Sequence, residues 1–202
     1  MTRVCFVGTS DVNLQYELLS RETSREALAT YDLARPFENS IAVRTVSLGA
    51  AVSLCNDLQW YIVRFVDEVL IQEPSVSDTE WLSRDLAVAL RNGDVEPEDT
   101  GEHLKLFGLE RPDVTSTTDS APAVAAEDDG SPSDSSPTSS DGSRQSESSE
   151  SSDSAAAAGG RVRPTLVEPL YVRRTDGEVP EYDLRDVDDT LVVRLTESEF
   201  SP

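Results

Sequence analysis

The sequence predicts an α+β fold, in which a mixed sheet built from N-terminal strands and a C-terminal β segment packs with a long buried helix and shorter helices. Apolar residues recur with the alternation of strands near both ends of the chain, and with the periodicity of a helix between them. A serine- and acid-rich stretch separates the two apolar parts. This stretch explains why the hydrophobic share of the whole chain is only 37%.

The first part of the chain predicts two strands and a helix. Residues 3–8 carry apolar side chains on both faces, which is typical of a central strand covered on both sides. Residues 14–18 alternate between apolar and polar side chains and favour a strand, although their two leucines also fit one face of a helix. Thr23 and Glu26 have the spacing of a capping box, which predicts a helix that ends before Pro36.

The middle of the chain predicts a third strand and then the longest helix. Residues 40–47 alternate as a strand does, with Ile41 and Val43 on one face. From Gly49 to about residue 72, apolar residues recur with helical spacing, and only a narrow polar stripe interrupts them. We therefore expect this helix to be the most buried one in the protein.

Two shorter helices are predicted next. Ser77 and Glu80 have the spacing of a second capping box, and the helix that they would open buries Trp81 and ends at Gly93. Residues 98–107 predict a short polar helix. The only histidine, His103, is then expected to be an exposed helical side chain without a catalytic role.

Residues 113–163 are predicted to be a disordered linker. Between residues 113 and 160 the chain has 15 serines, ten acidic residues, one arginine and no aromatic residue. Such a segment cannot bury enough apolar area to offset the entropy lost on ordering it. The sequence thus divides into an N-terminal α/β part (2–112), the linker (113–163) and a C-terminal β segment (164–198).

The C-terminal segment predicts strands. Residues 170–174 are the first, and Asp176-Gly177 is a strong signal for a two-residue hairpin turn. Pro180 confines the strand that follows to a sheet edge. Residues 190–196 predict a last strand, whose inward side chains would be Leu191, Val193 and Leu195. A segment of roughly 35 residues is too small for a core of its own, so we expect it to complete the N-terminal sheet as part of one domain.

The charge composition predicts a protein adapted to high salt. The net charge is -22, from 39 acidic and 17 basic residues, and Lys105 is the only lysine. In about 1 M salt the Debye length falls to roughly 3 Å, which screens the self-repulsion of such a chain. Arginine remains useful because its planar guanidinium makes directional bonds to carboxylates. We infer a cytoplasmic protein of a halophilic archaeon.

The sequence predicts neither a cofactor nor a metal site. Cys5 and Cys55 lie in apolar segments without CxxC spacing, so we expect buried thiols. The longest helical pattern contains charged residues and cannot serve as a membrane span of about 20 apolar residues. The N-terminus also lacks the pattern of a signal peptide.

Four strings of the sequence resemble an uncharacterised protein family of halophilic archaea, which contains a domain of unknown function. The resemblance covers about residues 2–112 and 164–200 and implies no activity, so it assigns no site residues. The strings are YELLSRETSREALATYDL (16–33), LQWYIVRFVDE (58–68), DTEWLSRDLA (78–87) and EPLYVRR (168–174).

Arg21, Arg25 and Arg44 form the candidate ligand site. Arg21 and Arg25 open a predicted helix four residues apart, next to Glu22 and Glu26. This cluster is either a solvated face with ion pairs worth about 0.3–0.5 kcal/mol each, or a site for an anion or a partner. Arg44 in the predicted strand is added to it, with a structural role as the alternative.

Two classes of function stay open. No catalytic or metal-binding arrangement is recognisable, which favours a non-catalytic interaction or regulatory protein with a protein partner. The alternative is a small anionic-ligand-binding protein or enzyme that uses the arginines. A nucleic-acid partner ranks last because the chain is strongly acidic and has no basic patch among aromatic residues.

Overall fold

The described residues form a mixed seven-stranded sheet with helices against it. The computed structural model describes residues 1–111, 163–175, 178–180, 187 and 189–201. The strands are β1 (Thr2–Gly8), β2 (Ser40–Thr45), β3 (Val66–Gln72), β4 (Trp81–Leu82), β5 (His103–Glu110), β6 (Thr165–Arg173) and β7 (Asp189–Leu195). The helices are α1 (Leu14–Leu19), α2 (Glu22–Leu28), α3 (Leu48–Asp57), α4 (Gln59–Phe65), α5 (Arg84–Asn92) and α6 (Glu197–Phe200), with a 3-10 turn at Pro97–Asp99.

The C-terminal strands complete the sheet. The strand order is β2-β1-β3-β4-β7-β5-β6, so β7 lies between two N-terminal strands and β6 forms one edge. β4 and β7 pair in parallel, whereas the other neighbouring strands in the described part of the chain pair antiparallel. This confirms the predicted α+β class, with a mixed sheet built from both ends of the chain.

The sheet curls until its two edges approach each other. The amide of Glu38, just before edge strand β2, donates a hydrogen bond of 2.8 Å to the carbonyl of Pro164, just before edge strand β6. Register shifts occur beside Gly8 in β1 and Gly108 in β5, and such bulges bend a strand. A Cβ atom on Gly108 would lie 2.9 Å from Cγ2 of Val167, so the close approach of β6 requires glycine there.

Two hydrophobic clusters lie on opposite faces of the sheet. Val4 and Phe6 of β1 are fully buried on the helical face, among residues of α1 to α5. Cys5 and Val7 alternate to the other face, where they pack in one cluster with Phe107 and other residues of β5 and β7. Because β3, β4 and β7 separate β1 from β5 in the sheet, this second face is the one that the curl encloses. We call it the enclosed face.

The prediction of a strand at residues 14–18 is wrong, because this segment forms helix α1. The side chain of Asn13 caps the helix by accepting a hydrogen bond from the Tyr16 amide, with a distance of 3.0 Å. Leu14 and Leu18 are both buried against the sheet, while Tyr16 is 68% exposed. The helical spacing of the two leucines therefore determined the structure, and the alternation was coincidental.

The helix predicted from Thr23 also begins and ends differently. Its N-cap is Arg21, without a side-chain capping bond, and the helix α2 ends at Leu28. The buried hydroxyl of Ser24 donates to the carbonyl of Leu18, with a distance of 2.6 Å. This bond connects the first turn of α2 to α1. Because α2 begins at Glu22, Thr23 lies inside its first turn and is not the N-cap of a capping box.

The long helix predicted from Gly49 to residue 72 is three elements, namely α3, α4 and β3. The helical path breaks at Leu58, whose φ of −93° and ψ of 7° end α3 and begin α4. Strand β3 then buries Val69 and Ile71 on the helical face and Leu70 on the enclosed face. A strand covered on both faces has a continuous apolar run, which periodicity does not separate from a buried helix.

Two further predictions between residues 77 and 107 are wrong. Trp81 belongs to strand β4, and helix α5 begins only after Ser83, whose hydroxyl accepts a hydrogen bond of 3.1 Å from the Leu86 amide. The predicted end at Gly93 is confirmed, because this residue has a φ of 76°. Residues 98–107 form the 3-10 turn and the first part of β5 instead of a helix, so His103 lies on a strand.

The remaining predictions concern the C-terminal part of the chain. The predicted linker lies outside the described residues except for Arg163. Asp176 and Gly177 also lie outside them, as does most of the strand predicted after Pro180, although Thr175 and Glu178 pair as an isolated bridge. The last strand is confirmed, and its buried side chains are Leu191, Val193 and Leu195. None of the described helices has the length and apolar character needed to cross a membrane.

Candidate functional site

Two arginines face each other across the antiparallel pair β1–β2. Arg3 of β1 lies directly opposite Arg44 of β2 in the register. Directly opposed residues have side chains on the same face of the sheet, with Cβ atoms about 4.5–5.5 Å apart, and like charges there are destabilising. The guanidinium of Arg3 also lies 5.9 Å from the centroid of the Trp81 ring. An anion placed between the two arginines would remove their repulsion.

A third arginine, Arg35, comes from the segment that follows α2. This segment runs beside β2, because Ala34 and Ala42 exchange two backbone hydrogen bonds of 2.8 and 2.7 Å. The bridge holds Arg35 next to the strand that carries Arg44. The Nε atom of Arg35 is buried and has no hydrogen-bond acceptor among the described residues. A buried donor without a partner costs about 1–3 kcal/mol in the folded state.

These three arginines line a cavity of about 610 Å³. We call it the arginine cavity. Its volume lies in the range of roughly 300–1,000 Å³ that is usual for small-molecule sites. Several apolar residues contribute to its wall, so that a ligand would meet both charge and apolar surface. The lining residues are Met1, Arg3, Thr30, Tyr31, Asp32, Leu33, Ala34, Arg35, Pro36, Ala42, Val43 and Arg44.

The arginine cavity carries an excess of positive charge. Asp32 is its only acidic lining residue, and it is exposed. Within the described part of the chain, neither Arg3, Arg35 nor Arg44 forms a salt bridge. Carboxylates are plentiful in a chain with a net charge of -22. Three neighbouring guanidiniums that have no carboxylate partner among the described residues are therefore unexpected. Such a cluster can bind phosphate or carboxylate groups through paired N–H donors.

The three arginines named by the sequence do not come together. Arg44 lines the arginine cavity, whereas Arg21 and Arg25 are absent from its wall. Arg21 forms a salt bridge of 2.8 Å with Glu17 and lies against Trp60, with its Cζ atom 5.5 Å from the ring centroid. Arg25 is exposed on α2. The predicted cluster is thus two separate places on the fold.

Sequence reasoning missed Arg3 and Arg35. The sequence indicates only that Arg3 begins a strand, and Arg35 precedes a proline in a segment without a regular pattern. Their relation to Arg44 depends on the β1–β2 register and on the Ala34–Ala42 bridge, neither of which a single sequence specifies. The scarcity of basic residues was an available signal, because it makes three arginines outside any acidic cluster conspicuous.

A second cavity, of about 830 Å³, adjoins the first, since Arg35 lines both. Glu68 of β3 lies in its wall and forms a salt bridge with Lys105 of β5, the only lysine of the chain. Burial raises the pKa of Glu68, and the ammonium of Lys105 offsets this effect only in part. Lys105 also lies 4.9 Å from the centroid of the Phe107 ring. We interpret this pair as a structural contact across the enclosed face.

The cysteines and the histidine do not line either of these two cavities. Burial raises the pKa of Cys5 to about 12 and that of Cys55 to about 11, so both thiols are protonated and unreactive at neutral pH. Both are free and buried, as predicted. His103 lies with its ring centroid 4.8 Å from that of Phe200 in α6. Among the described residues, no three His, Cys, Asp or Glu side chains form a group suited to a metal ion.

Comparison with known proteins gives one match. Residues 2–109 match a family described as a family of unknown function (DUF5804). The matched residues are just over half of the 202-residue chain, and they include the three arginines of the cavity. No curated protein and no solved structure shows significant similarity to the chain.

Proposed function

We infer that this chain, which belongs to the DUF5804 family of unknown function, binds a small anionic ligand in the arginine cavity. The ligand carries phosphate or carboxylate groups. The observation that supports this function is the placement of Arg3, Arg35 and Arg44 around one cavity, without a salt bridge among the described residues. This function is the second of the two classes that the sequence leaves open. Arg44 belongs both to the ligand site predicted from the sequence and to the arginine cavity.

An oxyanion suits this site better than a monatomic anion does. Each guanidinium presents paired donors in a plane, and a phosphate or carboxylate group accepts two of them at once. Arg3 and Arg44 lie on the same face of the sheet and can act on one such group together. Chloride has no matching geometry, so binding of an oxyanion is expected to persist in concentrated chloride salt.

The test is ligand binding by the full-length chain at about 1 M KCl, where non-specific attraction is screened. Isothermal titration calorimetry with inorganic phosphate, pyrophosphate and citrate measures the dissociation constants. Replacement of one charged donor typically costs about 1.5–3 kcal/mol, so Arg3→Gln and Arg44→Gln are each expected to weaken the best probe at least about tenfold.

Arg91→Gln is the matched control, because Arg91 is exposed on α5 and does not line the arginine cavity. Its dissociation constant should equal that of the unmodified chain. If none of the three probes bound, or if all three variants lost the same affinity, the arginine cavity would not be the site.

We further propose that the protein works in the cytoplasm of a halophilic archaeon. The supporting observations are the net charge of -22 and the presence of one lysine among 17 basic residues. At low salt, such a charge destabilises the compact state through self-repulsion, and molar salt screens it. The arginine cavity suits this environment, because paired hydrogen bonds act at contact distance, where screening is weakest.

A further inference from the structure

An exposed aromatic surface lies on α4, away from the arginine cavity. Trp60 and Val63 are 51% and 71% exposed, although both are large apolar residues. With Arg64 they share one face of α4, since positions i, i+3 and i+4 of a helix are neighbours. Arg21 reaches the same place from the start of α2. We call Arg21, Trp60, Val63 and Arg64 the Trp60 surface.

The Trp60 ring is held in place by its neighbours. The Cζ atoms of Arg21 and Arg64 lie 5.5 and 4.8 Å from its centroid. The rings of Tyr61 and Phe65 meet it edge-on, with centroids 5.0 and 6.0 Å away. A tryptophan that is already ordered loses little side-chain entropy on binding. Tryptophan and arginine are also the residues most enriched at the energetic centres of protein interfaces.

The charge of the Trp60 surface is opposite to that of the chain as a whole. Arg21 has one carboxylate partner, Glu17, and Arg64 forms no salt bridge with any described residue. The guanidinium of Arg64 lies over the Trp60 ring instead, with its Cζ atom 4.8 Å from the ring centroid. Donors that are not used within the protein remain available to carboxylates of a partner.

We propose that the Trp60 surface binds an acidic, partly apolar segment of a partner protein. Carboxylates of that segment pair with Arg21 and Arg64, and an apolar side chain covers Trp60 and Val63. The two kinds of contact reinforce each other in concentrated salt, since apolar burial does not depend on screening and close ion pairs are screened least. This proposal is independent of the arginine cavity.

Two other occupants fit the surface less well. Single-stranded nucleic acid could stack a base on Trp60, but a polyanion would meet a chain with a net charge of -22. A second copy of this chain would bring two Trp60 surfaces together only at the cost of placing four arginines in contact. An acidic, partly apolar protein segment meets less repulsion than a nucleic acid does, because it carries fewer charges per unit length than a strand with one charge on every phosphate. It also brings carboxylates, rather than further guanidiniums, to Arg21 and Arg64.

The experiment measures fluorescence anisotropy of labelled peptides titrated with the full-length chain, at about 0.1 M and about 1 M KCl. The probes are a peptide of alternating Glu and Leu, the same peptide with Gln in place of Glu, and one with Lys. Oligo-dT is titrated in parallel. At about 1 M KCl, where attraction to the net charge of the chain is screened, the Glu/Leu peptide is expected to bind at least about tenfold more tightly than the Gln/Leu and Lys/Leu peptides.

Two substitutions locate the binding. Trp60→Ala and Arg64→Gln are each expected to weaken the Glu/Leu peptide at least about tenfold, while Arg91→Gln leaves it unchanged. Circular dichroism checks that the variants are folded. These three variants should bind phosphate or pyrophosphate in the arginine cavity as the unmodified chain does. The peptide experiment therefore tests the Trp60 surface separately from the arginine cavity.

Four outcomes would overturn the proposal. They are the absence of Glu/Leu binding, equal binding of the Gln/Leu peptide, tighter binding of oligo-dT, and a self-association in sedimentation that Trp60→Ala abolishes. The third would indicate a nucleic-acid surface, and the fourth a contact between copies of this chain.

Discussion

Arg44 lies at a strand position where a polar β-branched residue would pack well. It is instead an arginine directly opposite Arg3, and both are without a salt bridge to a described residue. Directly opposed like charges destabilise a sheet by a few tenths of a kcal/mol to about 1 kcal/mol. A residue that lowers stability where it stands is typical of a binding site, since optimal stability and function often conflict.

Arg44→Thr is therefore expected to stabilise the protein in the absence of ligand. The free energy of unfolding, measured by urea denaturation, should rise by about 0.5 kcal/mol because the repulsion with Arg3 is removed. Arg44→Lys retains the positive charge and should bring no such gain. A lower stability of the threonine variant would show that Arg44 has a structural role, which is the alternative left open by the sequence.

Contacts between elements hold the C-terminal strands to the N-terminal part. Glu80, just before β4, accepts hydrogen bonds from Arg174, just after β6, and from Arg194 of β7. Arg194 also donates to the hydroxyl of Thr100, with a distance of 2.8 Å. Burial alone would raise the pKa of Glu80, but its two arginine partners outweigh this effect and lower it. One carboxylate thus connects three parts of the chain.

Because the folded-state pKa of Glu80 is below its ordinary value of 4.5, the stabilisation is present above that value and is lost as the pH falls through the lowered pKa. Glu80→Gln leaves two largely buried guanidiniums without a carboxylate, which should cost about 3 kcal/mol at pH 7. Urea denaturation at a series of pH values measures both effects. The difference between the unmodified chain and the variant should shrink on acidification below 4.5.

Asn13→Ala provides a comparison at another helix. The side chain of Asn13 caps α1 by accepting a hydrogen bond of 3.0 Å from the Tyr16 amide, so its loss should cost about 1 kcal/mol through the helix cap. That cost should not decrease below pH 4.5 in the way predicted for Glu80. If the Glu80→Gln difference stayed constant across the pH series, the arginine pairs would not be its cause.

At the scale of the whole molecule, the net charge of -22 is spread over a chain of 202 residues. The five salt bridges identified among the described residues use only a few of the 39 carboxylates. Self-repulsion is therefore a global property that no single substitution removes. It depends on ionic strength because the charges interact through solvent.

The melting temperature is expected to rise when KCl increases from about 0.1 M to about 1 M, since the Debye length falls from about 10 Å to about 3 Å. Differential scanning fluorimetry over this range measures the change. The same series near pH 4 is the control, because many carboxylates are then protonated and the salt dependence should be smaller. A melting temperature that did not depend on KCl at pH 7 would contradict the proposed adaptation to high salt.

Several elements could be predicted because local patterns decide them. Strand β1 has apolar residues on both faces, Gly93 ends α5 with a positive φ, and Leu191, Val193 and Leu195 alternate inward in β7. The site was predictable only in part. The sequence names Arg44 as a candidate but not its two partners. Arg3 is brought to Arg44 by the pairing of β1 with β2, whose residues are more than 30 positions apart in the sequence. Arg35 is brought there by the bridge between Ala34 and Ala42.

The sequence by itself determined the α+β class, the acidity and the burial of both cysteines, because these follow from composition and from short-range periodicity. Tertiary structure alone decided that residues 66–72 form a strand. This segment pairs with β1 on one side and β4 on the other, and the two hydrophobic clusters cover its two faces, which makes an extended apolar segment more stable than a helix there. Tertiary structure also decided which arginines meet. Register and sheet curvature bring distant side chains together, and both are set by packing of the whole sheet rather than by neighbouring residues.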